Sequence, residues 1–206
     1  MSQIIMVANP KGGTGKTTIA TNLCGYFARQ NKSVALVDLD RQQSSLRFLA
    51  LRSEKLPVIT GFYAGNQLTA HLPRDFDHIV IDTPAGLQGF KLSDYLRICQ
   101  KLIVPFSPSV FDLNATEDFL QIVKKEMLSA RSKIALVAMR ADIRRRAWQG
   151  LETFADELHF DIRATLRPTQ NYINAAMVGA TIFDPPNATN KKDVAQWSEL
   201  LKWLEE

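Results

Sequence analysis

Residues 9 to 18, Asn9-Pro10-Lys11-Gly12-Gly13-Thr14-Gly15-Lys16-Thr17-Thr18, constrain this chain more than any other feature, because they require one local architecture. An apolar, strand-like run from Ile4 to Ala8 precedes them, and a helical pattern follows with Ile19, Leu23, Tyr26 and Phe27 on one face. Strand, glycine-rich loop and helix in that order make a phosphate-binding loop. Gly12, Gly13 and Gly15 admit backbone conformations closed to other residues, so successive N–H groups can converge on phosphate oxygens at a helix N-terminus. Lys16 supplies a mobile positive charge for the outer phosphates, and the Thr17 hydroxyl is placed to coordinate Mg²⁺. The general pattern has glycine where this chain has Pro10. A glycine-rich turn that only caps a helix would leave Lys16-Thr17 without a purpose.

The remaining chain fits one such domain. With 206 residues, 46% of them hydrophobic, it is long enough for one substantial core, and no Pro/Gly/Ser linker divides residues 1–206. Apolar, β-branched runs at Val34 to Val37, His78 to Ile81, Lys101 to Val104 and Lys133 to Ala138 read as buried strands. Helical candidates are Thr116 to Ser129, Ala147 to Leu158, Asn171 to Val178 and Asp193 to Leu204. This alternation predicts an α/β fold: a mostly parallel twisted sheet with helices on both faces and ligands at the carboxyl ends of the strands. The chain enters its first strand without a signal-like segment, and Cys24 and Cys99 lie far apart within helical patterns, which together predict a cytoplasmic protein with buried thiols.

Two predicted strands end in acids. The first runs into Asp38-Leu39-Asp40; if it continues, both carboxylates point to one side, where they can serve a phosphate-bound Mg²⁺ or orient a water. The second, His78 to Ile81, runs into Asp82-Thr83-Pro84-Ala85-Gly86, a metal-binding carboxylate followed by a turn able to sense a terminal phosphate.

Lys11 is a second cation inside the loop, which a simple phosphate cradle does not need. With it, Lys11 through Thr18 match the pattern KGGxxKT[ST] in full, and the chain resembles the ParA/MinD family of deviant Walker A ATPases, as a small ParA-like member without an N-terminal DNA-reading domain. The resemblance implies ATP and Mg²⁺ as cofactors, with Lys11, Gly12, Gly13, Thr14, Gly15, Lys16, Thr17 and Thr18 on the nucleotide. It also implies an ATP-sandwich homodimer in which Lys11 touches the partner's phosphates. Residues Asp38 to Gln42 resemble the family's VDxDPQ segment, with Arg41 in place of the proline. By that likeness Asp40 positions the attacking water, while Asp38, Thr17 and Asp82 serve the metal. Val104 to Ser109 resembles the family's hhPxxPs strand end, which leads into a dimer-face helix. Val137-Ala138-Met139-Arg140 stands where relatives approach the adenine, with Met139 replacing their usual Thr or Asn.

Charge adds a partner. The net charge of +4 is too small to argue for nucleic acid, yet Arg140, Arg144, Arg145, Arg146, Arg163 and Arg167 fall close together in sequence. Such a cluster is either a solvated face or a footprint for phosphate backbones. The resemblance favours nonspecific DNA, with Arg144, Arg145, Arg146, Arg163 and Arg167 as candidates, although Arg167 has a rival place near the nucleotide. It further implies a nucleoid-associated protein and a cargo-bound, ParB-like activator. The C-terminal stripe Val194, Trp197, Leu200, Leu201 and Leu204 could lie on a bilayer, as in a MinD-like membrane ATPase. It ends in Glu205-Glu206, which anionic lipid would repel, so core packing is expected.

Overall fold

Side chains alternate along a strand, and here both sets are apolar, so the central strands are covered on both faces. In β1 (Gln3–Val7), Ile4 and Met6 join one hydrophobic cluster, Ile5 and Val7 the other. The computed structural model describes residues 2–65, 72–127, 133–141, 159–184 and 190–206. Within them β2 (Val34–Asp38), β3 (Thr60–Tyr63), β4 (His78–Asp82), β5 (Lys101–Phe106), β6 (Lys133–Met139) and β7 (Ile162–Leu166) join β1 in one sheet. The order is β3-β2-β4-β1-β5-β6-β7. Every neighbouring pair is parallel, so all the carboxyl ends share one edge.

Helices cover both faces, as the alternation predicts. On one face α1 (Lys16–Arg29) contributes Ile19, Leu23 and Phe27, and Leu49 of α2 (Ser44–Ala50) packs alongside. On the other, α3 (Gly89–Ile98) contributes Leu92 and Leu96, and α4 (Val110–Met127) contributes Phe119, Leu120 and Val123. The helix α4 begins at Val110 rather than Thr116 because Ser109 Oγ accepts the Asp112 amide, an N-cap ahead of the apolar pattern. The short α5 (Asn171–Ala176) follows β7. The candidate helix Ala147 to Leu158 lies outside the described residues.

The C-terminal pattern forms two helices, α6 (Lys191–Ala195) and α7 (Ser198–Glu205), instead of one. The break falls at Trp197, whose fully buried indole donates its N–H to the Tyr172 hydroxyl at 2.8 Å and meets Phe183 edge-on. The stripe is core packing: Trp197, Leu200, Trp203 and Leu204 are buried, and Lys101 Nζ donates to the Trp203 carbonyl. No helix among the described residues is long and apolar enough to cross a membrane. Cys24 and Cys99 are both buried.

One glycine reports how tightly α1 is held. A Cβ on Gly25 would lie 2.3 Å from Thr181 Oγ1, and Thr181 is itself fixed by bonds from its amide and hydroxyl to Asp184. Arg52 clasps that carboxylate through two nitrogens, so Thr181 has little room to yield. Helix propensity alone would favour alanine by about 1 kcal/mol. Overpacking outweighs it, and Gly25→Ala should lower unfolding free energy by about 1–3 kcal/mol in urea titrations.

Candidate phosphate-binding site

The loop starts from a buried side chain. Asn9 donates its amide N–H groups to the Pro105 carbonyl and to Thr116 Oγ1, and its Oδ1 accepts the Lys11 amide at 2.9 Å. This fastens the loop to the end of β5 and to α4. Gly13 and Gly15 take the left-handed conformations that glycine favours, φ 73° and 96°. Gly15 is also closed sterically, since a Cβ there would sit 2.6 Å from Met139 Cε. Met139, placed by resemblance near the adenine, thus packs against the loop. Lys16 Nζ donates to the Lys11 carbonyl at 2.8 Å; burial holds this ammonium below its usual pKa, with Asp82 and Asp40 opposing. The loop lines an open cleft of about 410 Å³, within the range of small-molecule sites. Asp40, Gln42, Thr83, Ala85 and Arg140 complete its wall.

The expected metal residues separate into two groups. Thr17 donates its hydroxyl to Asp82 Oδ2 at 2.8 Å, while Asp82 Oδ1 is buried and has no hydrogen-bond partner among the described residues. Burial pushes the Asp82 carboxyl up to about 7; Asp38, its register partner on β2, adds to the rise, and the Thr17 bond, Lys16 and the nearby Ser45 hydroxyl, which donates to Asp38, oppose it. An orphaned carboxylate oxygen beside a hydroxyl at a phosphate loop fits Mg²⁺, which takes hard oxygen ligands and shares them with phosphate. Asp38 is engaged differently. Its Oδ2 accepts Ser45 Oγ at 2.6 Å and the amides of Ser45 and Leu46, and its Oδ1 accepts the Asp40 amide. It therefore holds the start of α2.

The strand does not continue through Asp38-Leu39-Asp40, because β2 ends at Asp38 and the Asp40 amide turns back onto that carboxylate. Of the two acids only Asp40 lines the cleft, its Oδ1 accepting the Gln42 amide at 2.9 Å. Thr83 Oγ1 donates to the Val7 carbonyl, and the Gly86 amide donates to the Pro10 carbonyl. The turn after β4 is thus bonded to the loop. Lys11 extends to Asp112 of α4 at 3.6 Å, with 41% of its side chain exposed.

The arginines do not form one described patch. Arg163 and Arg167 lie toward opposite ends of β7. Arg163 pairs with Asp161, and Arg167 Nε donates to the buried Asp193 at 2.6 Å. Arg144, Arg145 and Arg146 lie outside the described residues. Sequence reasoning missed Asn9, Asp112 and the part Arg140 plays, since these act through contacts distant in the chain.

A family profile described as the CobQ/CobB/MinD/ParA nucleotide binding domain matches residues 5–199. The chain is 26% identical over 186 residues to maintenance of carboxysome distribution protein A of Halothiobacillus neapolitanus, covering 87% of this chain and 86% of that one. It is 53% identical over 192 residues to the chromosome-partitioning ATPase Soj of Thermus thermophilus, covering 78% and 75%. In fold it resembles the Pyrococcus furiosus cell division ATPase MinD, with a TM-score of 0.77 over 98% of this chain and all of that one, at 20% identity.

Asp82 generates a pH dependence. An acid whose pKa is raised from 3.8 to about 7 in the folded protein contributes stability that is complete below pH 3.8 and lost as pH rises toward 7. Without Mg²⁺, Asp82→Asn should flatten that decline and raise the unfolding free energy at pH 8 by about 1–3 kcal/mol, the scale of an unsatisfied buried group. The same substitution should remove Mg²⁺ binding. Urea titrations at pH 5 and pH 8, with and without Mg²⁺, measure both effects.

Proposed function

The chain belongs to the CobQ/CobB/MinD/ParA nucleotide-binding family, and from that premise we propose that it is a partition or positioning ATPase working as an ATP-dependent dimer on DNA. It is a P-loop ATPase whose cofactors are ATP and Mg²⁺. The observation that carries the functional reading is the cleft lined by the phosphate loop and Asp40, with Asp82 bonded to its Thr17 and the extra lysine Lys11 within the same loop.

Each residue then has a task. Loop amides and Lys16 bind the phosphates, Thr17 and Asp82 hold Mg²⁺, and Asp40 orients a water and takes its proton. Mg²⁺, when bound, offsets negative charge on the phosphate oxygens. Asp38 serves as the anchor that presents Asp40. Lys11 crosses to the partner's phosphates. Its pair with Asp112 is long and half exposed, a contact in a class worth about 0–1 kcal/mol, so exchanging it for phosphate costs little. Phe90 and Phe111, exposed at 92% and 79% near the starts of α3 and α4, lie on the same edge and would be covered in the dimer.

The dimer binds DNA of any sequence through Arg144, Arg145 and Arg146, with Arg163 and Arg167 as further candidates, and a cargo-bound, ParB-like protein stimulates hydrolysis. The cargo is a plasmid, a chromosome or a protein cluster, and the protein resides on the nucleoid. The two relatives named for carboxysome distribution and chromosome partitioning support this class of activity. Packing of α7 against the sheet favours DNA over a membrane as the anchor.

Nucleotide variants separate the tasks. Lys16→Ala should abolish ATP binding, Lys11→Ala should retain binding but lose the stable dimer and hydrolysis, and Asp40→Ala should trap an ATP dimer with turnover reduced about 10²–10⁴-fold. Gel filtration and phosphate release with ATP check all three, and wild-type dimerisation of Lys11→Ala would refute the sandwich. For the anchor, replacing Arg144, Arg145 and Arg146 by alanine should weaken DNA binding and reduce its salt slope by roughly one unit per lost contact. Mobility shifts over several salt concentrations measure this, and ATP-dependent binding to liposomes but not to DNA would favour the MinD-like reading.

A further inference from the structure

The strand β6 ends at Met139 and Arg140 follows it, and both side chains meet the phosphate loop. Arg140 holds φ at 53°, in the left-handed region that side-chain-bearing residues other than Asn and Asp rarely enter. Conformations of this kind persist where surrounding contacts enforce them, and they gather at ligand sites. The enforcing contacts are specific. Arg140 Nη2 donates to the Gly13 carbonyl at 2.8 Å and to Ser107 Oγ at 2.9 Å, joining the loop to the residue that follows β5.

A phosphate loop works only if its peptide units are correctly turned. The peptide group is planar and trans, so fixing the Gly13 carbonyl also fixes the Thr14 N–H on the opposite side of the same plane. Gly13 itself is left-handed and carries no side chain, so its own sequence does not choose that orientation. A charged donor at 2.8 Å does.

We propose that Arg140 is a positioning residue for the nucleotide: its guanidinium clamps the Gly13 carbonyl to Ser107 and so holds the Gly13–Thr14 peptide in the orientation that binds phosphate. The proposal rests on the loop being the nucleotide site. It assigns Arg140 an action through the loop rather than on the terminal phosphate, and this makes a distinct demand: ADP and ATP, which share the phosphates nearest the loop, depend on Arg140 alike.

The test compares ADP and ATP dissociation constants, with Mg²⁺, for the wild type, Arg140→Asn, Arg140→Lys and Ser107→Ala. Asparagine tolerates the left-handed backbone, so Arg140→Asn removes the clamp without adding strain. It should weaken both nucleotides equally, by about three- to ten-fold, the scale of one lost hydrogen bond. Lysine, a point charge without the planar fork, should restore part of the affinity for both. Ser107→Ala leaves β6 untouched and should weaken both by roughly two-fold, so it decides the matter even if Arg140→Asn fails to fold. Wild-type affinities in the Ser107→Ala protein would overturn the clamp even where Arg140→Asn weakens both nucleotides, because direct contact with the adenine gives that result; a loss confined to ATP would also overturn it and make Arg140 a direct terminal-phosphate contact. A wild type that binds neither nucleotide would instead overturn the phosphate-loop reading itself.

Discussion

Backbone amides can converge on a phosphate only if the carbonyls of the loop are satisfied elsewhere, and this requirement ties the loop to the rest of the fold. Pro10 offers its carbonyl to the Gly86 amide, in the turn after β4. The Lys11 carbonyl accepts Lys16 Nζ, and the Gly13 carbonyl accepts Arg140 from the end of β6. Asn9 adds bonds to Pro105, which lies in β5, and to Thr116 of α4. The loop is therefore held by three strands other than the one it follows. A parallel sheet supplies those strand ends on one edge, which is the physical link between fold and site.

Three carboxylates near that edge illustrate how environment divides one chemistry into different roles. Asp38 has its oxygens filled by Ser45, Leu46 and Asp40 amides and the Ser45 hydroxyl. Asp82, beside it in the sheet, has one oxygen bonded to Thr17 and the other without a hydrogen-bond partner among the described residues, an arrangement that suits a cation. Asp40 lies beyond the strand and borders the cleft, where it can meet water. The difference lies in which donors surround each group, not in the residue type.

Farther from the cleft, the second half of the chain braces α1. Arg52, just after α2, forms a buried pair with Asp184, and Asp184 holds Thr181 against Gly25 of α1. Asn22 of α1 accepts the Ile182 amide in the same region. The helix that carries Lys16 and Thr17 is thus joined both to the segment after Asp40 and to residues 181–184.

Much of this protein was readable in the sequence. The loop from Lys11 to Thr18, the buried strands and Asp82 are local patterns, and a local pattern fixes local geometry: glycines permit left-handed turns, and runs of β-branched residues make strands covered on both faces. The amphipathic C-terminal stripe likewise declared its apolar face. Other features were decided only by tertiary structure. The strands β3 and β7 and the helices α2 and α3 have weak patterns and take shape from their neighbours; β3, mostly exposed, is an edge strand. The division between Asp38 and Asp40 depended on Ser45, and the break at Trp197 accompanies its bond to Tyr172. The contact between Arg140 and Gly13 spans 127 residues of chain. Sequence spacing specifies what a residue can be on its own element, whereas a hydrogen bond between elements depends on how those elements pack, and only the folded sheet brings such partners within 3 Å of each other.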